Sequence, residues 1–88
     1  MSETIKREVI DIISNLNKIP KEAIDPTVSF RDVGLDSFAL VEAVFAIENK
    51  YDVNFAQDAL MEIVTVDELV AYIEKLLKEK ETAPEKPL

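Results

Sequence analysis

Apolar residues recur along the chain at helical, not strand, spacing. Ile5, Val9, Ile12, Ile13, Leu16 and Ile19 lie three and four apart. That is the stripe of an amphipathic helix over residues 2–17, with Ser2 as its N-cap and Pro20 as its stop. Residues 20–36 break the pattern. Pro20, Pro26 and the chain's one glycine, Gly34, predict a long loop, and Ile24, Val28, Phe30, Val33 and Leu35 are expected to pin it to the core. Loops of this length in small domains are uncommon and often functional. A second helix is expected from Asp36 or Ser37 to about Lys50, because Asp and Ser side chains accept the orphan N–H bonds of a first turn. Residues 54–62 leave room for a turn or two of helix. Thr65 and Glu68 then form a capping box. Val66, Leu69, Val70, Ile73, Leu76 and Leu77 follow as the stripe of a last helix ending near residues 79–81. No strand-period run or hairpin signal appears. The pattern predicts an all-α, four-helix bundle: three main helices, one short helix and a long loop between helices 1 and 2. Residues 1–80 form one domain, and residues 81–88, with Pro84 and Pro87, read as a disordered tail.

The second helix carries two apolar stripes. At 100° per residue, Leu40, Val44, Ile47 and Tyr51 share one side and are expected to face the core. Phe38, Val41 and Phe45 form another stripe, roughly 120° away. Glu42 and Glu48 flank it. The second stripe either packs beneath the long loop or stands exposed as a docking surface for a partner with an apolar groove rimmed by Lys or Arg.

Composition narrows the chemistry. The 88 residues include no Cys, no His and no Trp. That excludes disulfides, Cys/His zinc sites and any scheme built on a histidine base or a cysteine nucleophile. Ten Lys and Arg against 18 Asp and Glu give a net charge of −8. An acidic surface repels nucleic acid and anionic lipid, so the expected partners are proteins with basic patches. At 48% hydrophobic residues the chain is still expected to fold. No signal peptide or membrane span is expected: Glu3, Glu8 and Asp11 interrupt the first helix, and Glu42 breaks the longest apolar stretch. A cytoplasmic monomer is the expectation. The acidity is also uneven. Residues 26–62 hold two cations and seven carboxylates, net −5, against −1 for residues 1–25 and −2 for residues 63–88.

Ser37 lies in that acidic third, at a helix start where backbone N–H groups and the helix dipole favour a phosphate. With no histidine to activate it, Ser37 is not an enzymatic nucleophile in its own right. On physics alone it reads first as a helix cap, and otherwise as a residue modified by another enzyme. A calcium loop starting at Asp32 fails, because Ser37 and Ala43 stand where Gly and Glu are needed.

The run Ser29-Phe30-Arg31-Asp32-Val33-Gly34-Leu35-Asp36-Ser37-Phe38, with Val41-Glu42 and Ala46-Ile47-Glu48 after it, closely resembles the acyl carrier protein signature. That signature runs Asp, an apolar residue, Gly, any residue, then Asp-Ser-Leu opening the second helix. Tyr51-Asp52-Val53 and Ile63-Val64-Thr65-Val66 match further family positions, so the resemblance covers nearly the whole globular chain. It implies a non-catalytic carrier whose serine is esterified with 4′-phosphopantetheine from coenzyme A, the terminal thiol holding an acyl group as cargo. Matched residue by residue, Ser37 would be the attachment site, in a motif that includes Gly34. Asp36 would help a phosphopantetheinyl transferase and its metal engage. Glu42 and Glu48 would be acidic contacts, and Phe38, Val41 and Phe45 the apolar part of the surface met by acyl-transferring, condensing and modifying enzymes with basic docking patches. No metal site of the chain's own is implied.

Three departures from the family pattern stand out. Phe38 replaces the Leu after the serine. Ala39 and Leu40 stand where typical fatty-acid carriers have polar or acidic residues. Residues 56–62 are more apolar than usual. The expectation is a specialised carrier in fatty-acid, lipid or polyketide synthesis. The alternatives are an aminoacyl or peptidyl carrier, or an unmodified carrier-like interaction module.

Overall fold

The computed structural model describes residues 2–82. It contains α1 (Ser2–Asn17), the one-turn α2 (Phe30–Val33), α3 (Ser37–Tyr51), the short α4 (Gln57–Glu62) and α5 (Val66–Thr82), with a 3-10 turn at Lys21–Ala23. The three long helices are those expected from the sequence, and α4 falls within residues 54–62, where room was left for a turn or two of helix. The side chain of Ser2 and the tail beyond residue 82 lie outside the described residues, so the expected cap and most of the expected tail do too. α5 itself continues through Thr82.

α1 packs against both α3 and α5. Ile5, Val9 and Ile13 from α1 meet Ala43 and Ile47 of α3 and Val66, Leu69, Val70 and Ile73 of α5 in one buried cluster. The turn from i to i+4 overshoots the helix repeat, so the buried line drifts along each stripe. Leu16 ends 45% exposed, while Ile12 and Ile19 are half-buried. On α3 the drift brings in Ala43, which the apolar count skipped, and leaves Leu40 and Tyr51 half-buried. A small residue there lets the helix backbones approach closely.

The segment between α1 and α3 is more structured than a loop. Ser29 Oγ accepts the Asp32 N–H at 3.2 Å and so starts α2. Gly34, at φ 104°, stops it; a left-handed residue of that kind is costly for any side chain with a Cβ. Ile24, Phe30 and Leu35 are buried as expected, whereas Val28 and Val33 are only half-buried. The segment is also stitched to the start of α5. The Phe30 N–H donates to Val64 O at 2.8 Å, the Asp67 N–H to Pro26 O at 3.0 Å, and Ser29 and Thr65 form an isolated antiparallel bridge.

The capping box forms as expected. Thr65 Oγ1 accepts the Glu68 N–H at 3.1 Å, and Glu68 Oε1 accepts the N–H groups of Val64 and Thr65 at 2.7 and 3.2 Å. At the opposite end of the bundle, Lys80 Nζ donates to Asp52 O at 2.9 Å and pairs with Asp52 Oδ2 at 3.0 Å, closing the C-terminus of α3. Tyr51 donates its hydroxyl to Glu8 Oε1, tying α3 to α1. Burial first, and that hydrogen bond second, push the Tyr51 hydroxyl pKa well above its ordinary value.

Candidate functional site

Asp36, not Ser37, caps α3. Its Oδ1 accepts the Ala39 N–H at 2.8 Å, with the Asp36 backbone extended at φ −91° and ψ −179°. Ser37 is thereby the first helical residue, which corrects the simplest sequence reading of it as the cap. The physical reason is competition for one turn of orphan N–H groups: the carboxylate is one residue earlier and takes the capping geometry. The Ser37 side chain is exposed, and its hydroxyl makes no hydrogen bond among the described residues. Gly34 sits three residues before it, where its left-handed turn directs the chain out of α2 and into α3.

Ser37 lies on the wall of an open groove of about 1150 Å³. Deep ligand pockets are typically about 300–1,000 Å³ and largely closed; this one is a solvent-continuous trough that suits an extended ligand. α2 and the turn after it form one side, with Phe30, Arg31 and Leu35. Leu40, Val41 and Val44 of α3 form the floor, and Leu60, Met61 and Val64 close the far side. Among the lining residues Arg31 is the one cation, and Asp32 and Asp36 are the carboxylates; the rest of the surface is mostly apolar.

The second stripe of α3 is exposed rather than tucked under the preceding segment. Phe38 is 71%, Val41 43% and Phe45 60% exposed. Of the two flanking carboxylates, Glu42 is in solvent. Glu48 is half-buried, and its Oε2 accepts the Phe55 N–H at 2.7 Å. Glu48 therefore has a structural role as well, since it holds the turn that leads into α4. Tyr72 helps, stacking edge-on against Phe55 with ring centroids 5.0 Å apart and accepting the Ala56 N–H at 3.3 Å.

Two exposed apolar residues lie outside the strip named from the sequence, one of them within residues 56–62, whose apolar character the sequence did show. Met61 is 81% and Val64 48% exposed, and both line the groove that holds Ser37. Met61 lies on the six-residue α4, which has little partner surface to bury it, and Val64 lies in the connection after it; only the fold places both along the same groove as α3. No helix among the described residues is long and apolar enough to cross a membrane.

The sequence profile of the family described as "Phosphopantetheine attachment site" matches residues 7–73, which takes in most of α1, the groove and about the first half of α5. The chain belongs to the acyl carrier protein family. The carrier is 38% identical over 81 residues to the acyl carrier protein of Amoebophilus asiaticus, covering 91% of this chain and all of that one. It is 40% identical over 75 residues to acyl carrier protein 3 of Ralstonia nicotianae, covering 84% and 86%. It is 35% identical over 82 residues to the meromycolate extension acyl carrier protein of Mycobacterium tuberculosis, covering 92% of this chain and 71% of that protein. The carrier is thus not an enzyme, and 4′-phosphopantetheine is its covalently attached prosthetic group. Phosphopantetheinyl transferase and acyl-handling enzymes are its partners, and an acyl group is its cargo.

Proposed function

We propose that Ser37 is the attachment site of the arm and that residues 1–80 act as a specialised carrier. It would serve fatty-acid or a related lipid or polyketide synthesis as a cytoplasmic monomer. One observation carries the assignment. Because Asp36 has taken the cap, the Ser37 hydroxyl is left exposed and without a hydrogen-bond partner among the described residues. A hydroxyl committed to capping would have to leave that bond before reacting.

The surroundings also suit the group. The first turn of α3 offers backbone N–H groups beyond the one Asp36 satisfies, and these favour a phosphodiester at that end of the helix. The groove beside Ser37 is apolar along most of its length, a suitable wall for a pantetheine chain and the start of an acyl group. In the attachment step the Ser37 oxygen attacks a phosphorus of coenzyme A. A new Oγ–P bond forms, the phosphoanhydride bond breaks, adenosine 3′,5′-bisphosphate leaves, and the Ser37 proton passes to the transferase. Asp36 lies at the same turn, where the transferase and its metal ion would meet it. The bound arm supplies the one reactive thiol of the system, which holds the cargo as a thioester. The chain's own residues position and present it.

Glu42 and the apolar strip of Phe38, Val41 and Phe45 form the proposed contact surface for basic-patched partners, with Glu48 contributing charge at its edge. Incubation of the apo protein with coenzyme A and a phosphopantetheinyl transferase tests the assignment. The wild type is expected to gain the mass of phosphopantetheine and Ser37→Ala to gain nothing. An unchanged wild-type mass with several transferases, or the same gain in the variant, would overturn it.

A further inference from the structure

The one cation that lines the groove beside Ser37 is unpaired. Arg31 is exposed on the α2 side, and its guanidinium makes no hydrogen bond or ion pair among the described residues. Carboxylates are not scarce there, since Asp32 and Asp36 line the same groove. Elsewhere Lys6, Lys21 and Lys80 have each closed on a carboxylate, at 3.2, 2.6 and 3.0 Å. The other cation of residues 26–62, Lys50, stands 6.0 Å from the Tyr51 ring at the far end of α3.

The turn after α2 keeps Arg31 close to the serine. The Gly34 N–H donates to Arg31 O at 3.0 Å and the Leu35 N–H to Phe30 O at 2.9 Å, so the chain folds back on α2 before it enters α3. Gly34 and Ser37 are three residues apart, at most about 11 Å even in a fully extended chain. The long side chain of Arg31, held by nothing else, can reach the start of α3.

Charge says what it would meet there. A group joined to Ser37 through phosphate brings one more negative charge to a turn already flanked by Asp32 and Asp36. Because Asp36 takes the Ala39 N–H, the N–H groups of Ser37 and Phe38 are what the helix has left for that anion. They attract it from one side, while the two carboxylates repel it. A guanidinium on the facing wall offsets the repulsion. Its fork matches two phosphate oxygens, and it stays charged throughout the physiological range.

We infer that Arg31 anchors the phosphodiester of the arm and so lays the arm along the groove instead of leaving it in solvent. Arg31 is a positioning residue, since it acts on where the arm lies and not on the thioester. The inference rests on the Ser37 carrier reading and adds to it the side chain that orients the arm. The anion is the arm's phosphate, not a carboxylate of the cargo. The phosphate stays at the serine whatever the cargo, beside the turn that carries Arg31, whereas a cargo carboxylate belongs to the arm's other end.

The chain has no cysteine, so the thiol of the arm is the only thiol of the carrier and reports on the arm alone. Wild type, R31Q and R31K are converted fully to the arm-bearing form and checked by intact mass. Phosphorus NMR relaxation measures how firmly the phosphodiester is held, and alkylation by uncharged iodoacetamide measures how freely the thiol meets solvent. R31Q is expected to narrow the phosphorus line and to raise the alkylation rate about two- to fivefold, the scale of one exposed charge pair. R31K keeps the charge and is expected to retain most of the restraint. Sodium chloride is expected to bring the wild type toward R31Q and to leave R31Q unchanged. Arg31 is exposed and unpaired, so the melting temperature of the apo protein is expected to be the same in all three. Phosphorus relaxation and alkylation that are both indifferent to R31Q overturn the inference. So does an effect on phosphorus relaxation that appears with a malonyl thioester and not with an acetyl one, which would assign Arg31 to a cargo carboxylate. A folded R31Q that gains no arm while the wild type does would place Arg31 in the transferase contact, and also overturns it. A wild type that gains no arm overturns the Ser37 reading, and this one with it.

Discussion

Replacing Asp36 separates two roles that one side chain fills at the start of α3. Its Oδ1 accepts the Ala39 N–H at 2.8 Å, and among the described residues no other side chain caps the N-terminus of that helix. Asp36→Ala removes the cap, a loss of about 1 kcal/mol in exposed settings, and also the carboxylate's interaction with the helix dipole, about 0.3–0.5 kcal/mol after solvent screening. In a domain of this size about 1 kcal/mol moves the melting temperature by about 4–8 °C, so a fall of about 5–10 °C is expected by thermal circular dichroism. Asp36→Asn keeps a capping oxygen of equal quality and loses only the charge. It is expected to retain most of the stability while slowing arm attachment, if the carboxylate works through the transferase and its metal. Ser37→Ala is expected to leave the melting temperature unchanged or slightly raised, because its hydroxyl makes no hydrogen bond among the described residues and Ala is the better helix former. An Asp36→Ala protein that melts with the wild type, or a Ser37→Ala protein that loses several degrees, would refute this division between cap and free hydroxyl.

Gly34→Ala is expected to cost about 1–2 kcal/mol in urea unfolding, all of it from the left-handed backbone, because an added Cβ meets nothing within 4 Å. Tyr51 predicts a pH dependence. Its hydroxyl pKa is raised on folding from an ordinary value of 10, so the stability it adds is full below pH 10 and falls as pH rises above it, where the unfolded state releases a proton that the folded state keeps. The wild type is therefore expected to lose stability more steeply than Tyr51→Phe above pH 10, measured by urea unfolding across that range; parallel profiles would show that the contact with Glu8 does not survive in solution. Added sodium chloride or magnesium is expected to raise the melting temperature, since salt screens the net −5 of residues 26–62; indifference to salt would mean those charges do not repel one another at close range.

Much of the fold was legible because long amphipathic helices announce themselves by period. Thr65 and Glu68 announced the start of α5 in the same local way, and both of their side chains bond as the spacing implied. What stayed hidden was decided by competition or by distance along the chain. Asp36 and Ser37 are both good caps, and only geometry shows which one wins. α2 is a single turn, too short to have a period, and is held by Ser29, Gly34 and contacts with Val64. Glu48 looked like a surface charge on α3, yet a neighbouring turn brings the Phe55 N–H to it. The apolar character of residues 56–62 was visible too, but that Met61 and, just after α4, Val64 stand exposed along the groove is set by the tertiary fold. The strip of Phe38, Val41 and Phe45 was visible as a pattern, but its exposure was a tertiary fact.

The hydrogen bonds between residues 26–30 and residues 64–67 bear on synthesis order. Ser37 is made early, but the turn that presents it is fastened by backbone groups of Val64 and Asp67, far downstream. While a ribosome is still adding α4, the nascent serine belongs to a segment whose anchor does not yet exist. Closure of the segment before Ser37 thus waits for the start of α5, and a chain ending before that point would carry the signature sequence without the hydrogen bonds that fasten it.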